Sequence, residues 1–361
     1  MLPKFMWFRI GNIAGLLNLN AKAMNHELIR EVLCQIGEAV CRKVHQSLRE
    51  QSIEERAAVH QEGADDTIYQ IDKDVEDIIL PLLRAQAAAL GGVVLIAEGI
   101  GEDSESGLVL PENITAGQAA IRIIMDPIDG TRGIMYDKRS AFFLAGAAPN
   151  KGSKTCLQDI EVSVMTELPT SRSVLSDTLW AVKGQGAHRY TWHLEKNTRE
   201  TRTIRPSQSP TWYGGFGQIA RFFPPGRDVL AAIEDEMLAT LFPDAPEGKA
   251  IVFEDQYISS GGQLYEILVG HDRFVADIRE SLFRKMRKAG QKTGHVCHPY
   301  DVCATLIGQE AGVIITNPAG EPLNAPLDTT SPVDWVAYAN GQLKAQIEPI
   351  LHRVLTKYGL L

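Results

Sequence analysis

The chain has 361 residues, of which 44% are hydrophobic and 22% are charged, and its formal net charge is -9. This composition is typical of a folded protein, and the length allows a large core or two packed halves with a cleft between them. The acidic balance disfavours nucleic acid as a partner, because proteins bind its backbone through clustered Lys and Arg. No apolar stretch has the length needed to span a bilayer, so we expect no membrane association.

The N-terminus and the cysteines indicate the cellular compartment. The five cysteines are an odd number in a long chain, which is typical of reduced thiols in the cytoplasm. Residues 1–23 end in Ala21-Lys22-Ala23, which resembles an export cleavage site only weakly. We therefore predict a cytoplasmic protein, in which residues 1–23 are either a poorly ordered extension or the result of a start codon upstream of Met24.

The first predicted elements are two amphipathic helices. Apolar residues recur every three or four positions from Met24 to Leu48, and a second apolar face extends from Asp72 to Leu90. Pro81 lies inside the second stretch and predicts a kink there.

Two short apolar runs predict buried strands that each end in a carboxylate. Val93 to Ala97 is followed by Glu98, and Ile121 to Met125 is followed by Asp126. Strand ends hold side chains more firmly than loops do, so both carboxylates are candidates for a site. Further strands are predicted at 142–148, 160–165 and 179–182.

The character of the sequence changes at about residue 188. Residues 188–256 hold two tryptophans, several prolines and a predicted helix at 227–241, and we interpret them as an elaboration on the catalytic scaffold. Later predicted elements are a helix ending at Gly270, a strand at 274–278, a basic helix at 279–292, a helix at 303–310 with Asp301 as its N-cap, and a strand at 313–316.

These elements predict two halves. Residues 24–187 form an N-terminal α+β half that carries the metal and phosphate site, and residues 188–361 form a C-terminal α/β half. Helices and strands that alternate without an internal repeat are typical of a layered α/β or α+β enzyme.

The run Asp126-Pro127-Ile128-Asp129-Gly130-Thr131 carries the predicted chemistry. Pro127 fixes the backbone so that both carboxylates can face one point together with the Ile128 carbonyl. Oxygen donors of this kind suit Mg²⁺. Gly130 and Thr131 let the backbone turn so that amide N–H groups can point at a phosphate beside the metal.

This run resembles the signature of the inositol monophosphatase family, the lithium-sensitive, Mg²⁺-dependent sugar-phosphatase superfamily that includes fructose bisphosphatases. The resemblance extends from about Met24 to beyond Val313 and implies a layered αβαβα sandwich. Other segments that resemble family motifs occur in the family's order: Asp72 to Glu76, Ala97-Glu98, Ala181 to Ala187, Pro299 to Ala304, and Glu310-Ala311-Gly312.

The resemblance implies a ligand set for two or three Mg²⁺ ions. One ion would be held by Glu98, Asp126 and the Ile128 carbonyl, and a second by Asp126, Asp129 and Asp301. A third, weaker ion would use Glu98.

The resemblance also implies a reaction. Asp72 and Thr131 would orient the attacking water, and the amides of Gly130 and Thr131 would hold the phosphate. The substrate would be a small polyol or sugar phosphate, such as an inositol monophosphate or a fructose bisphosphate, hydrolysed by a metal-activated water. Family members are commonly homodimers, so we expect one here.

Two departures from the family pattern affect the expected substrate. Gly99 stands where the family has a second Glu, which leaves Glu102 as an alternative to Glu98. Arg132 follows the Asp-Gly-Thr sequence. With Lys138 and Arg139 it is a candidate for binding a second anionic group, although exposed basic residues in a loop are usually only solvated. Asp277 resembles a position that contacts substrate hydroxyls, although a strand-end Asp beside Arg279 explains it equally well.

Two other functions are compatible with the sequence. One is a nucleotide 3'-phosphatase of the same superfamily, with adenine bound by Trp192, Trp212 or Tyr213. The other is a sugar-phosphate-binding relative that has lost catalysis.

Overall fold

The computed structural model describes residues 24–62, 67–100 and 107–361. The predictions for residues 1–23 and for Glu102 concern residues outside these ranges. Within them, none of the helices combines the length and the apolarity that crossing a bilayer would require.

The N-terminal segment forms the two predicted helices. The elements are α1 (His26–Glu50), α2 (Ile53–Arg56), a hairpin of β1 (Val59–Glu62) and β2 (Thr67–Tyr69), and α3 (Gln70–Ala87). The Asn25 side chain accepts a hydrogen bond from the Leu28 amide and so caps α1. Pro81 lies inside α3, as predicted.

The larger sheet of the described chain has eight strands. They are β3 (Val93–Ala97), β4 (Leu108–Leu110), β5 (Ile121–Asp129), β6 (Ala141–Pro149), β7 (Val162–Leu168), β8 (Leu175–Val182), β9 (Ala187–His193) and β10 (Thr198–Arg202), and their spatial order is β10-β9-β8-β7-β6-β5-β3-β4. Only β3 and β5 pair in parallel; the other neighbours are antiparallel.

Strand β5 continues further than predicted. It was expected to end at Met125, but it extends to Asp129, and its pairing with β6 shifts between Asp126 and Asp129. Pro127 has no amide hydrogen to donate to a neighbouring strand, and a bulge accommodates it. Asp126 and Asp129 lie on either side of this bulge, near the end of β5, and their side chains lie close together.

The smaller sheet of the described chain has four strands. They are β11 (Phe216–Ile219), β12 (Asp272–Asp277), β13 (Ile314–Thr316) and β14 (Trp335–Tyr338), in the spatial order β11-β12-β14-β13. The remaining helices are α4 (Thr131–Met135), α5 (Arg227–Leu241), α6 (Ser260–Leu268), α7 (Arg279–Lys288), α8 (Thr305–Glu310) and α9 (Gly341–Tyr358).

The larger sheet divides the core into two clusters, because successive side chains of a strand point to opposite faces of the sheet. On β5 and β6, Met125 and Phe143 pack in the cluster that contains α1 and α3, whereas Ile124 and Leu144 pack in the cluster that contains α6 and α8. Helices α6 and α8 contact both sheets, and α5 and α9 pack on the smaller one. The order of layers is therefore αβαβα, which confirms the predicted fold class.

The segment that follows the expected boundary at 187/188 contributes strands to both sheets. Strands β9 and β10 pair with the larger sheet, whereas β11 belongs to the smaller one. The turn at Gly184 and Gly186, both with positive φ, lets β9 fold back on β8 as a hairpin. The interpretation of residues 188–256 as an elaboration on the scaffold stays a prediction.

The segment around Asp301 also differs from expectation. Asp301 was predicted to be the N-cap of a helix at 303–310, but it lies inside a 3₁₀ turn, Pro299–Val302. Its Oδ2 accepts a hydrogen bond from the amide of His298, 2.6 Å away, so it caps the turn from within. The following helix, α8, begins only at Thr305.

Candidate metal and phosphate site

A cavity of about 1180 Å³ lies where the ends of β3 and β5 meet α6 and the 3₁₀ turn. It contains nearly all of the predicted site residues. Those that line it are Asp72, Glu98, Asp126, Ile128, Asp129, Gly130, Thr131, Arg132 and Asp301, whereas Asp277 is not among the described lining residues.

Three carboxylates converge in this cavity. Within the described chain, Asp126, Asp129 and Asp301 form a group in which one oxygen from each lies within 4.8 Å of the others. Asp126 is 2% exposed, Asp129 is 6% exposed, and the side chain of Asp301 is 13% exposed. Like charges this close in a buried setting repel one another strongly.

The pKa values of these three carboxyl groups reflect their burial and their mutual repulsion. Burial, with the charges of Asp129 and Asp301, raises the pKa of Asp126 well above its usual range. Burial raises the pKa of Asp129 to about 6, although hydrogen bonds from Gly261 and Ser259 lower it in part. Burial and the charge of Asp129 likewise raise the pKa of Asp301. A divalent cation that prefers oxygen ligands fits this donor set, because it neutralises the mutual repulsion.

Protein donors orient each carboxylate. The Ile128 amide donates to Asp126 Oδ1 at 2.9 Å. The Ser259 hydroxyl donates to Asp129 Oδ2 at 2.8 Å, and the Gly261 amide donates to the same oxygen. Ser259 also caps α6 by accepting from the Gly262 amide, so the start of this helix is tied to the site.

Asp72 and Thr131 form a hydrogen-bonded pair. The Thr131 hydroxyl lies 3.2 Å from Asp72 Oδ1 and 2.8 Å from the Ile128 carbonyl oxygen, so its proton has two acceptors. Asp72 Oδ2 accepts from the Tyr69 amide at 2.8 Å, which holds the carboxylate at the first turn of α3. The structure thus brings together two residues that are separated by 59 positions.

Glu98 lies at the end of β3, beside the three carboxylates. Parallel pairing sets Ala97 opposite Met125, so Glu98 and Asp126 leave the sheet at the same edge. Glu98 is half-buried and lines the cavity, although it is outside the 4.8 Å group.

Gly130 and Arg132 lie at the start of α4. Gly130 has a φ of +95°, and a Cβ there would lie 3.1 Å from the Ser259 Cβ, so glycine suits both the turn and the close approach. Arg132 is exposed at the cavity rim, with its guanidinium carbon 5.4 Å from the centre of the Tyr69 ring.

Comparison with known proteins matches this part of the chain to one family. Residues 25–141 match the model of the inositol monophosphatase family. The family resemblance is confirmed. The matched segment contains Asp72, Glu98 and the whole run from Asp126 to Thr131.

Solved structures extend the likeness of fold to most of the chain. The extragenic suppressor protein SuhB of Bartonella henselae is 16% identical, with a TM-score of 0.59 over 90% of this chain and 98% of that one. For the fructose-1,6-bisphosphatase of Leishmania major the identity is 12%, the TM-score is 0.63, and the coverage is 92% and 99%. The inositol monophosphatase of Anabaena is 16% identical, with a TM-score of 0.56 over 92% of this chain and 97% of that one. No curated protein sequence matches the chain.

Beyond the segment that matches the inositol monophosphatase family, the structure changes the expectation for Asp277. Both of its carboxylate oxygens accept hydrogen bonds from Arg279, at 2.8 and 2.6 Å, and Asp277 is 1% exposed. Arg279 lines the cavity. The structure therefore places the arginine at the cavity wall, with Asp277 behind it.

Several residues at the site were missed in the sequence. The run Ser259-Ser260-Gly261-Gly262 was not among the predicted site residues, yet Ser259 and Gly261 donate hydrogen bonds to Asp129. The one available signal was the pair of adjacent glycines, because close packing against another element favours residues without side chains. Phe222 and Phe223 also line the cavity.

The aromatic residues proposed for an adenine pocket are elsewhere. Trp192 and Trp212 are 1% and 0% exposed, in the core, and neither they nor Tyr213 line the cavity of the described chain. The structure therefore gives no support to adenine binding by these side chains.

Replacing Gly261 with alanine should impair the metal site. The new Cβ would lie 2.8 Å from both Asp129 Oδ2 and a methyl carbon of Leu144, so either the carboxylate or α6 must move. Displacements of about 1 Å can cost on the order of 100-fold in rate. If the three carboxylates bind Mg²⁺, we expect weaker binding in this variant, measured by calorimetry.

A matched control for this change is Gly117→Ala. A Cβ at Gly117 meets nothing within 4 Å, so this variant should retain full Mg²⁺ binding. Unchanged Mg²⁺ affinity in Gly261→Ala would show that Asp129 does not need this close contact.

Proposed function

We propose that the protein is a Mg²⁺-dependent phosphomonoesterase that hydrolyses a small polyol or sugar phosphate. The observation that carries the proposal is the convergence of Asp126, Asp129 and Asp301 in one cavity with the paired side chains of Asp72 and Thr131. The names of proteins with the same fold, an inositol monophosphatase and a fructose-1,6-bisphosphatase, support the substrate class.

The residues present suit two or three Mg²⁺ ions. Asp126, Asp129 and Asp301 supply the central carboxylates, and Glu98 and Ile128 line the same cavity. When bound, Mg²⁺ would neutralise phosphate charge and make water a better nucleophile near neutral pH. Phosphoryl transfer depends mainly on positioning and charge neutralisation, which this site is equipped to provide.

The chain's own groups then have distinct tasks. The amides of Gly130 and Thr131, at the turn into α4, would bind phosphate oxygens. Thr131 Oγ1 would donate a hydrogen bond to Asp72 Oδ1 and accept one from the attacking water, so that a lone pair of the water faces phosphorus. We propose in-line attack by this water: its oxygen bonds to phosphorus as the ester P–O bond breaks, one of its protons ends on the released alcohol and the other stays on inorganic phosphate. No phosphoenzyme forms, and a trapped phosphoaspartate at Asp126 would contradict this step.

We infer a cytoplasmic location from the odd number of cysteines, and a homodimer from the family resemblance.

A phosphatase screen tests the proposed function. Protein treated with EDTA would be assayed for phosphate release, with and without Mg²⁺, from inositol 1-phosphate, fructose 1,6-bisphosphate, glycerol 2-phosphate and adenosine 3',5'-bisphosphate. We expect release from a polyol or sugar phosphate only when Mg²⁺ is present. An Asp126→Asn preparation, purified in the same way, would reveal contaminating phosphatases.

The alternative functions give different results in the same screen. Release from the adenosine bisphosphate alone would favour a nucleotide 3'-phosphatase. Failure to release phosphate from any ester with Mg²⁺ would favour a binding protein without catalysis.

A further inference from the structure

Arg279 is a buried cation in the wall of the cavity. It is the first residue of α7, directly beyond β12, and it is 2% exposed. Its Nε and Nη2 donate to the two oxygens of Asp277, and its Nη1 donates to the His295 carbonyl oxygen at 3.1 Å. These bonds fix the plane of the guanidinium group.

Two N–H groups of the Arg279 guanidinium remain for a ligand. It has five N–H groups, and the bonds to Asp277 and His295 use three of them. One N–H remains on each terminal nitrogen. Because Arg279 lines the cavity, these donors are placed beside the space that a substrate would occupy.

Two aromatic rings shield the same group. The guanidinium carbon lies 4.5 Å from the centre of the Phe222 ring and 5.5 Å from that of Phe223, and both rings also line the cavity. They limit the access of water to Arg279. Hydrogen bonds from a charged donor in such a setting are stronger than in water.

We propose that Arg279 binds a second anionic group of the substrate, so that the preferred substrates carry a carboxylate or another phosphate besides the phosphate that is cleaved. The inference rests on the proposed function. Asp277 is 1% exposed and does not line the cavity, so it is not placed to receive hydroxyl groups of a neutral polyol. The wall instead offers N–H donors of a cation, which suit the oxygens of a carboxylate or a phosphate.

Pairs of esters that differ in one anionic group test this proposal. The first pair is fructose 1,6-bisphosphate and fructose 1-phosphate, and the second is 3-phosphoglycerate and glycerol 3-phosphate. We expect a kcat/KM at least tenfold higher for the ester with the extra anion in at least one pair. The pair that shows the preference distinguishes phosphate from carboxylate.

The variant Arg279→Gln should remove this preference. The ratio of kcat/KM within the favoured pair should fall by at least tenfold, mainly through the KM of the ester with the extra anion. Because the single change leaves Asp277 buried without its partner, the double variant Asp277→Asn with Arg279→Gln is measured in parallel, and thermal melting checks that each is folded.

Arg139 provides a matched control. It is also paired with a carboxylate, Asp255, at 2.7 Å and lies over an aromatic ring, that of Tyr257, but it does not line the cavity. Arg139→Gln should therefore keep the substrate ratio of the unmodified protein.

The outcomes separate this inference from the proposed function. If the unmodified protein hydrolyses these esters with Mg²⁺ but shows no preference within either pair, or if folded Arg279 variants keep the preference, the role of Arg279 is wrong and the phosphatase stands. If Mg²⁺-dependent hydrolysis fails for every ester in both this panel and the wider screen, the proposed function itself is wrong.

Discussion

Asp126→Asn is expected to lower Mg²⁺-dependent phosphate release by on the order of 1,000-fold or more, which corresponds to about 4 kcal/mol of transition-state stabilisation. Asp126 is at the centre of the proposed site, where its carboxylate adjoins those of Asp129 and Asp301. Asparagine preserves the shape and the acceptor for the Ile128 amide. It removes the negative charge that a metal ion requires.

In the absence of metal, Asp126→Asn should not destabilise the fold and should, if anything, stabilise it. Near neutral pH the repulsion among the three carboxylates opposes folding, since burial and neighbouring charge raise their pKa values above those of the unfolded chain. This destabilisation grows as the pH rises from about 4 through the raised pKa values. In EDTA at pH 8, the Asn variant should therefore melt at the same temperature as the unmodified protein or higher.

Adding Mg²⁺ completes the test of Asp126. The ion should raise the melting temperature of the unmodified protein more than that of the variant. Asp74→Asn is a suitable control, because Asp74 is an acidic residue of α3 that is paired with Lys43 at 3.0 Å and does not line the cavity. If Asp126→Asn retains more than a tenth of the activity, Asp126 is not an essential metal ligand.

Local patterns in the sequence predicted the parts of the fold that are locally determined. The strand at Val93–Ala97 and the helix at Arg227–Leu241 have the predicted bounds, since a continuous apolar run and a helical repeat are each complete within one segment. The predicted site residues on β5, α3 and the 3₁₀ turn also share one cavity. Their spacing and family resemblance pointed to that grouping.

The contacts that local patterns could not predict join distant segments. Ser259 is 130 positions from Asp129, and its serine-glycine surroundings also suit an ordinary helix start. Arg279 follows Asp277 in sequence, but only the packing of β12 and α7 shows which of the two lines the cavity. Strand β14 was missed because Trp335–Tyr338 is a four-residue apolar segment with no periodicity to classify.

Thr131→Ala is expected to lower kcat by on the order of 100-fold, because the attacking water loses the group that orients it. The KM should change little if the amides at the turn into α4 still bind the phosphate. Thr131→Ser keeps the hydroxyl and should retain activity within about tenfold. Steady-state kinetics with a fixed, saturating Mg²⁺ concentration would separate kcat from KM, and thermal melting would check the fold.

Asp72→Asn tests the direction of the hydrogen bond to Thr131. If the Asn carbonyl keeps the bond from the Tyr69 amide, its NH₂ group faces Thr131 Oγ1 and donates to the lone pair that should receive the water. Thr131 would then donate only to the Ile128 carbonyl oxygen, 2.8 Å away, and could no longer orient the nucleophile. Asp72→Asn should therefore lower kcat as much as Thr131→Ala does, although its side chain has the same shape as aspartate. A variant that folds normally and keeps its kcat would show that Asp72 serves only to cap α3.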